Sequence, residues 1–319
     1  MRRFLALVPG GVGDQLLFFP TLTTLKRSFP DAVIDVVVEP RSASAYRVCG
    51  AVNNVLKFDF KGQNSLADIG NLLGTIRDHN YDAVISLGTR FGVRFLLWLT
   101  GIPVRVGYAG QGNWLLTNTV PLNQNQYASR MYHDLLKGLG ITADCPPIIL
   151  NLPKSDLEWA DNTKKQLNLT SGYILLHGGS SALAVSKGIN KVYDPLKWVE
   201  VLQGIQPKVG GVPIVLVQGP EDSEFVGAIA KELPNLPIVS PPDIGKLSAM
   251  IAGANLLLCT DSAPMHIGTA VGTAMVALFG PTDPAKLLPS LTDPRIRFVK
   301  GETINDIPPK AIIDKILSA

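Results

Sequence analysis

Cysteine and charge are both scarce in this sequence. Only three of its 319 residues are cysteines, and Cys49, Cys145 and Cys259 share no CxxC or other metal-ligand spacing. An odd number of scattered cysteines argues against a disulfide framework and fits a reducing compartment such as the cytoplasm. Charged residues make up 17% of the chain and apolar residues 46%. This balance is typical of globular α/β enzymes and unlike that of disordered or coiled-coil proteins.

Long apolar runs and basic stretches are absent as well. The segment "FLLWLTGIPVRVGY" is interrupted by Gly101, Pro103 and Arg105, so we expect no transmembrane helix. The N-terminal "MRRFLALVPGG" is charged like a signal peptide, but its short apolar run ends at a proline and predicts a first strand. A net charge of +3 over this length predicts no nucleic-acid partner and leaves peripheral contact with a membrane open.

Several catalytic motifs are also missing. The chain contains no GxSxG, no GxxxxGK[ST] and no HExxH, which argues against a serine-hydrolase elbow, a P-loop and a zinc-protease site. The segments "TDPAK" and "LTDP" lack the paired carboxylates of a DxD metal site. We therefore expect chemistry that needs no metal.

What the sequence does contain is an alternation of short apolar, β-branched runs with longer helical patterns. This alternation predicts parallel-sheet βαβ units and an α/β fold. The helical patterns cover 15–28, 65–79, 196–203 and 222–232. The candidate strands are, in order, "FLALV", "AVIDVVV", "NNVLKFD", "DAVISLG", "VRVGY", "YILLHGG", "PIVLVQGP", "LPIVS", "NLLLCT" and "AMVALFGP".

The prolines of "CPPIILNLPKSD" divide this alternation into two halves. We therefore predict two Rossmann-like domains, 1–152 and 153–319, with the last helix as a candidate to pack back on the first. Ligands of open α/β sheets bind beyond the carboxyl ends of the strands. Two such domains facing each other would enclose a cleft.

The first candidate site is the loop in "FLALVPGGVGDQLL". Gly11 and Gly13 follow a strand and precede a helix, and Glu39 follows the next strand, which partly matches a dinucleotide fingerprint. However, the third glycine position is Leu16, and Asp14 would repel a pyrophosphate. As a carboxylate at a helix N-terminus, Asp14 fits either a general base or a simple helix cap.

The second candidate site is "TDSAPMHIGTAVGTAMVALFGPTDP". Asp261 and Ser262 end a strand, and Pro264 suits the first turn of the helix that follows. The N-terminus of such a helix can bind an anion. His266 lies one turn into this helix and fits either a ligand contact or a structural core histidine.

Two further strand ends carry polar residues. Ser180 and Ser181 follow Gly178 and Gly179 as hydroxyl donors that could cradle phosphate, with Lys191 as a candidate cation. In "LVQGPEDSEF", Glu221 or Glu224 could accept hydrogen bonds from a ribose. Helix capping and solvated surface charge explain these residues equally well.

Together these stretches resemble the ADP-heptose:lipopolysaccharide heptosyltransferase family, glycosyltransferase family nine, which has the two-domain GT-B fold. The carriers are "GVGDQLLFFPTLTTLKRSFPDAVID" and "TDSAPMHIGTAVGTAMVALFGPTDP". The resemblance implies an inverting, metal-free transfer of a sugar from a nucleotide-sugar donor, an ADP-linked heptose, with no cofactor. The implied acceptor is lipopolysaccharide core or a related lipid-linked saccharide, and the implied location is the cytoplasm, at the inner face of the membrane.

The resemblance also implies roles for single residues. Asp14 is the implied catalytic base, and its loop with Gly11 and Gly13 would face the acceptor in the N-terminal domain. Lys191 would neutralise the leaving diphosphate. The remaining implied substrate-binding residues are Ser180, Ser181, Glu221, Glu224, Asp261, Ser262 and His266 for the donor, and Arg90 and Arg94 for the acceptor.

The chain departs from the family pattern around the donor. Its Lys-x-Trp-Pro run reads Lys191-Val192-Tyr193-Asp194, and the glycine of Asp-Ser/Thr-Gly is Ala263. Fold and inverting transfer therefore follow from the resemblance more directly than heptose does. Two alternatives stay open: a nucleotide-dependent oxidoreductase or epimerase of the NAD type, and a non-catalytic nucleotide-sugar-binding protein of the same fold.

Overall fold

The computed structural model describes residues 1–60, 62, 64–179 and 191–318. The chain divides into two compact units, Met1–Asn151 and Leu152–Ala319. The boundary falls inside the proline-rich segment 146–154. Each unit has its own parallel sheet covered by helices.

Among its described residues, the first unit has one six-stranded parallel sheet with the order β3-β2-β1-β4-β5-β6. Strand β1 pairs with β2 on one side and with β4 on the other. Its continuous apolar run is fully buried because helices cover both faces of the sheet. The strands are β1 (Arg3–Val8), β2 (Val33–Val38), β3 (Asn54–Lys57), β4 (Ala83–Ser86), β5 (Val104–Tyr108) and β6 (Asn118–Val120).

The helices of the first unit follow the strands in a doubly wound arrangement. Helix α1 begins at the glycine loop after β1, and α4 packs on it. The helices are α1 (Val12–Ser28), α2 (Leu66–Asp78), α3 (Phe91–Leu99) and α4 (Ala128–His133), with 3-10 helices at Pro40–Val48, Asn113–Leu115 and Asp134–Leu139.

The described part of the second unit repeats the same topology, with the strand order β12-β11-β10-β7-β8-β9. Counted from its own first strand and read from the other edge, this is again the order 3-2-1-4-5-6. The strands are β7 (Ile174–His177), β8 (Ile214–Val217), β9 (Ile238–Val239), β10 (Leu256–Thr260), β11 (Met275–Phe279) and β12 (Ile296–Lys300).

The last helix of the second unit packs on α6 and on strand β12 of the same unit. The helices are α5 (Lys154–Gln166), α6 (Pro195–Ile205), α7 (Ser223–Glu232), α8 (Ile244–Ala252), α9 (Ala263–Val271), α10 (Pro284–Leu287) and α11 (Pro309–Leu317), with 3-10 helices at Gln206–Lys208 and Ile304–Asp306. In the part of the chain that the structure describes, no helix is both long and apolar enough to cross a bilayer.

The predicted α/β class is confirmed in both units. In such sheets the strand order reverses between the first and fourth strands, and ligands bind beyond the carboxyl ends of the strands at this switch point. The switch points lie between β1 and β4 in the first unit and between β7 and β10 in the second. Asp14, in the first turn of α1, follows β1, and Asp261 follows β10.

Candidate active site

The loop after β1 places a carboxylate at the first turn of α1. Gly11 is the N-cap residue, and its backbone N–H donates to Oδ2 of Asp14 at 2.8 Å. Asp14 therefore caps its own helix, as one of the two interpretations predicted. Its side chain remains only half-buried, so capping does not remove it from contact with a substrate.

A second donor reaches Asp14 from helix α4. The Tyr132 hydroxyl donates to Oδ1 of Asp14 at 3.0 Å. Burial and the neighbouring Asp14 charge raise the pKa of Tyr132 well above its ordinary value, so this hydroxyl stays protonated. Helix α4 is fixed on α1 because the Ser129 hydroxyl donates to the Leu17 carbonyl at 2.7 Å.

Hydrogen bonds from two side chains fix the backbone of the glycine loop. The Ser42 hydroxyl donates to the Gly10 carbonyl at 2.7 Å, and the buried Gln15 amide donates to the Val8 carbonyl at 3.0 Å. A Cβ at Gly10 would lie 2.4 Å from Oδ2 of Asp14. Only glycine at this position leaves the carboxylate where it is.

This arrangement does not fit a dinucleotide site. The Gly11 N–H, which would meet a pyrophosphate, already donates to Asp14. Leu16, in the place of the third glycine, is a fully buried residue of α1 itself. What this strand end offers instead is a carboxylate whose described hydrogen-bond partners, the Gly11 N–H and the Tyr132 hydroxyl, are both neutral.

In the second unit, the carboxylate at the switch point holds a cation. Asp261 follows β10, and its Oδ2 accepts from Lys191 Nζ and from the Thr282 hydroxyl, both at 2.7 Å. The Asp261 side chain is 4% exposed, whereas the Lys191 side chain is 23% exposed. Lys191 is therefore the more exposed member of the pair and is held by a buried carboxylate.

Helix α9 starts directly after this pair. Ser262 is its N-cap residue in extended conformation, and Pro264 lies in the first turn, as predicted. Gly268 lets the helix approach the sheet, because a Cβ there would lie 2.8 Å from Leu257 and 2.9 Å from Met275. His266 is buried in the same helix.

The end of β7 forms a second polar cluster that the sequence did not predict. His177 Nε2 lies 3.6 Å from Oδ2 of Asp222, and the Gly219 N–H donates to the same oxygen at 2.9 Å. Burial lowers the pKa of His177, and the Asp222 charge opposes this in part. A Cβ at Gly179 would collide with Asp222, so glycine is required for this packing.

The predicted donor residues therefore fall into three groups. The structure brings Lys191 and Asp261 into direct contact, with Ser262 adjacent in the chain. Glu221 and Glu224 are exposed near the start of α7, and both stay predictions as ribose contacts. The predicted phosphate donors that lie outside the described residues are Ser180 and Ser181.

The two predicted acceptor arginines differ in environment. Arg90 is exposed at the N-terminus of α3. Arg94 is 1% exposed, and its guanidinium donates to the Tyr108 carbonyl at 2.8 Å and to the Gln111 carbonyl. Arg94 thus holds the loop after β5, and an acceptor contact would compete with these internal hydrogen bonds.

Two functional candidates were missed from the sequence. Thr282 follows the end of strand β11 in the segment "FGPTDP". This position after a strand end could have marked it as a candidate. Tyr132 lies on a short helix 118 residues from Asp14 in sequence, and no motif marks it.

Metal ligation has no candidate cluster in the described part of the chain. Among residues 1–60, 62, 64–179 and 191–318, no group of three or more His, Cys, Asp or Glu side chains is placed to hold a metal ion. Metal independence stays a prediction.

Comparison with known proteins gives a family for this chain. The sequence profile of Glycosyltransferase family 9 (heptosyltransferase) matches residues 69–302. Lipopolysaccharide heptosyltransferase 3 of Escherichia coli K12 is 27% identical over 285 residues, which cover 85% of this chain and 80% of that protein. The photosynthetic NDH subunit of subcomplex B 1 of Arabidopsis thaliana chloroplasts is 24% identical over 310 residues, covering 90% of this chain and 66% of that protein.

Solved structures show the same fold. A glycosyl transferase of family 9 from Veillonella parvula superposes with a TM-score of 0.85 at 20% identity, covering 99% of this chain and 96% of the other. The E. coli ADP-heptose lipopolysaccharide heptosyltransferase II superposes with a TM-score of 0.80 at 20% identity, covering 100% and 98%. These likenesses confirm the predicted GT-B class of fold.

The family profile spans Lys191, Asp261 and Thr282, while Asp14 lies before its first matched residue. The resemblance stated from the motifs is confirmed by this match and by the names of the relatives. Because the profile covers most of the chain, the protein belongs to glycosyltransferase family 9 (heptosyltransferase) and is a glycosyltransferase.

Proposed function

We propose that this enzyme transfers heptose from ADP-heptose, with inversion, onto a lipopolysaccharide core or a related lipid-linked saccharide. The donor follows from the E. coli structure described as an ADP-heptose heptosyltransferase, and the acceptor from the names of the curated relatives. The reaction needs no cofactor and no metal in this proposal. It takes place in the cytoplasm, at the inner face of the membrane that carries the acceptor.

Asp14 acts as the general base in the first unit. Its carboxylate removes the proton from the acceptor hydroxyl while that oxygen attacks the anomeric carbon of the donor. A bond forms between this oxygen and the anomeric carbon, and the bond from that carbon to the diphosphate oxygen breaks. The observation that carries the proposal is that Asp14 is fixed through both oxygens by neutral donors, Gly11 N–H and the Tyr132 hydroxyl.

Lys191 acts on the leaving group in the second unit. An ammonium group beside the diphosphate neutralises the charge that develops as the glycosidic bond breaks. Asp261 and Thr282 fix the position of this group, so little reorganisation is needed when the donor arrives. Ser180 and Ser181 complete the diphosphate site in this proposal, Glu221 or Glu224 binds the ribose, and Arg90 binds the acceptor.

The decisive experiment replaces Asp14 by asparagine and measures turnover and ADP-heptose binding separately. Turnover should fall by a factor on the order of 100 to 10,000, the usual range for loss of a general base, while donor affinity stays near that of the wild type. Unchanged turnover would remove Asp14 from the mechanism.

Asp68→Asn is the matched control. Asp68 occupies the same third position of its helix, α2, and accepts from the Ser65 N–H at 2.9 Å, as Asp14 does from Gly11. Both variants lose the capping charge, so a loss of turnover confined to Asp14→Asn reports catalysis rather than capping.

A thermal-shift series tests the nucleotide and the metal. ADP, UDP, GDP, dTDP and NAD are compared with and without EDTA. Stabilisation by ADP that survives EDTA is the expected result. Stabilisation by NAD alone would contradict the transferase proposal, and loss of the ADP effect in EDTA would contradict its metal-free form.

A second candidate function is a non-catalytic member of the same family. The specific observation that favours it is the similarity to a subunit of a chloroplast complex. This candidate predicts nucleotide binding without turnover in the wild type. Transfer of heptose by the wild type, lost in Asp14→Asn, would exclude it.

A further inference from the structure

Helix α3 presents a row of aromatic side chains to solvent. Phe91, Phe95 and Trp98 are 50%, 42% and 47% exposed, and their spacing places them on one side of the helix. Their rings follow one another with centroid distances of 6.3 and 5.8 Å and nearly parallel planes. Contiguous exposed apolar surface of this kind marks an interaction site rather than an ordinary protein surface.

A fourth aromatic side chain is held beside this row. Trp114 is 70% exposed in the short 3-10 helix Asn113–Leu115, which contacts α3. Arg94, from the buried side of α3, donates to Asn113 Oδ1 at 3.2 Å and to the Tyr108 carbonyl. The loop is therefore tied to the helix. We call Phe91, Phe95, Trp98 and Trp114 the aromatic face.

The chain segment that carries the aromatic face is basic. From Ala83 to His133 the sequence contains four arginines, of which Arg94 is buried, and neither aspartate nor glutamate. At one end of α3 stands the exposed Arg90. At the other end Arg77 donates to the Leu99 carbonyl at 2.6 Å.

We propose that the aromatic face is a membrane-docking surface whose occupant is the interfacial region of a bilayer with anionic head groups. Tryptophan and phenylalanine rings insert at the boundary between head groups and acyl chains. Arginines near an anionic surface add electrostatic attraction to the lipid head groups. An aromatic row with a cation at each end matches both requirements.

A second copy of the chain fits this surface less well. A two-fold interface through the aromatic face would place the same patch on both subunits. The cationic ends would then meet a partner surface from the same acid-free segment, Ala83 to His133. The opposite charge that pairs with them is supplied by anionic lipid instead.

The inference goes beyond the proposed function, because docking does not depend on which sugar is transferred. It names the surface of the first unit that contacts a bilayer, and it rests on the proposed function only in that the acceptor is lipid-linked. Its test therefore measures binding to lipid and uses no transfer assay.

The test is flotation with two kinds of vesicle, phosphatidylcholine alone and phosphatidylcholine mixed with phosphatidylglycerol. The full chain is compared with the triple variant Phe91→Ser, Phe95→Ser, Trp98→Ser and with the single variant Phe95→Ser. The matched control removes three exposed leucines elsewhere, Leu66→Ser, Leu157→Ser and Leu196→Ser. Circular dichroism melting shows that each variant is folded.

The expected result is flotation of the wild type with the anionic vesicles, weakened by added salt, and a blue shift of tryptophan fluorescence. The triple variant should lose at least tenfold in partitioning, the single variant less, and the leucine control nothing. The proposal is overturned if the wild type does not float with anionic vesicles or floats equally with neutral ones. It is also overturned if the triple variant floats like the wild type, or if ultracentrifugation shows that the substitutions only convert a dimer to a monomer.

Discussion

Asp14 and Asp261 occupy comparable places in the two units and have opposite surroundings. Each follows a strand at the switch point of a sheet with the order 3-2-1-4-5-6. Asp14 is half-buried and accepts from a backbone N–H and a tyrosine hydroxyl. Asp261 is almost fully buried and accepts from the ammonium group of Lys191 and from Thr282.

This difference in hydrogen-bond partners matches the two roles that the proposed mechanism gives to the two sites. A carboxylate held by neutral donors keeps its charge available for a proton from the substrate. A carboxylate paired with a lysine is neutralised by that partner. The ammonium group of the lysine is then the group that contacts the ligand. In the proposed mechanism, the same topology supplies a base in one unit and a positioned cation in the other.

The largest effect in this comparison is expected from moving Asp14 without removing its charge. In Gly10→Ala the new Cβ would lie 2.4 Å from Oδ2 of Asp14, so the carboxylate must shift. Turnover should fall on the order of 100-fold, the effect of about 1 Å of misplacement. Gly11→Ala is the control, because its Cβ would lie 3.9 Å from the same oxygen. Turnover is measured by steady-state kinetics. Equal turnover for the two variants would contradict the claim that the position of the Asp14 carboxylate matters.

A smaller effect is expected from releasing Lys191. Asp261→Asn removes the charged partner but keeps one acceptor oxygen, so donor binding should weaken about tenfold, corresponding to about 1.5 kcal/mol for a hydrogen bond to a charged group. Asp156→Asn is the control, since Asp156 is a buried aspartate that faces Lys246 in the same unit. Calorimetric titration with ADP should show weaker binding in the first variant only. Equal affinities would make the Lys191–Asp261 pair structural.

Tyr132→Phe tests the neutral donor to Asp14. It removes one neutral donor from Asp14, and turnover should fall about fivefold, corresponding to about 1 kcal/mol. Tyr108→Phe removes a similar hydrogen bond from the same region, because the Tyr108 hydroxyl donates to the Met131 carbonyl on α4. Both variants should lose comparable stability in urea titration, but only Tyr132→Phe should lose turnover. If both variants lost turnover to the same extent, Tyr132 would have a structural role only.

The smallest expected effect is a change of stability with pH, to which one histidine in each unit contributes. Burial lowers the pKa of His133 in the first unit and of His177 in the second. The unfolded chain then takes up protons before the folded one, so the free energy of unfolding should fall as pH falls below the ordinary histidine value of about 6.5. Urea unfolding at pH 7.5 and about 5.5 should show this loss, and His177→Gln should lessen it. A pH slope that is unchanged in His177→Gln would show that other groups carry it.

The sheets could be predicted from the sequence because their central strands are buried on both faces. "FLALV" and "NLLLCT" are continuous apolar runs and correspond to β1 and β10. The edge strands β6 and β12 are half-exposed and mixed in sequence, so they leave no such run. Helix α3 was not predicted, because "FGVRFLLWL" is apolar on its buried side and on most of its exposed side.

Candidate site residues could be proposed from the sequence only where polar residues stand next to a strand end. Asp14, Lys191 and Asp261 are marked by glycine loops and motifs that stand close to them in sequence. The partners that decide their roles are set by tertiary packing: α4 must dock on α1 before Tyr132 can reach Asp14. Arg94 shows the converse, since a residue with the right charge for an acceptor turned out to hold its own loop.

The hydrogen bond between Tyr132 and Asp14 also has a consequence for biosynthesis. The two residues are 118 positions apart, and at about 5–20 residues per second the ribosome needs roughly 6 to 24 seconds to add that length. During this interval α1 can form and Asp14 can cap it, but α4 does not yet exist. A nascent or prematurely released chain that ends before α4 therefore has Asp14 without its Tyr132 hydrogen bond. In the proposed mechanism, the base reaches its final geometry only late in folding, through a long-range contact.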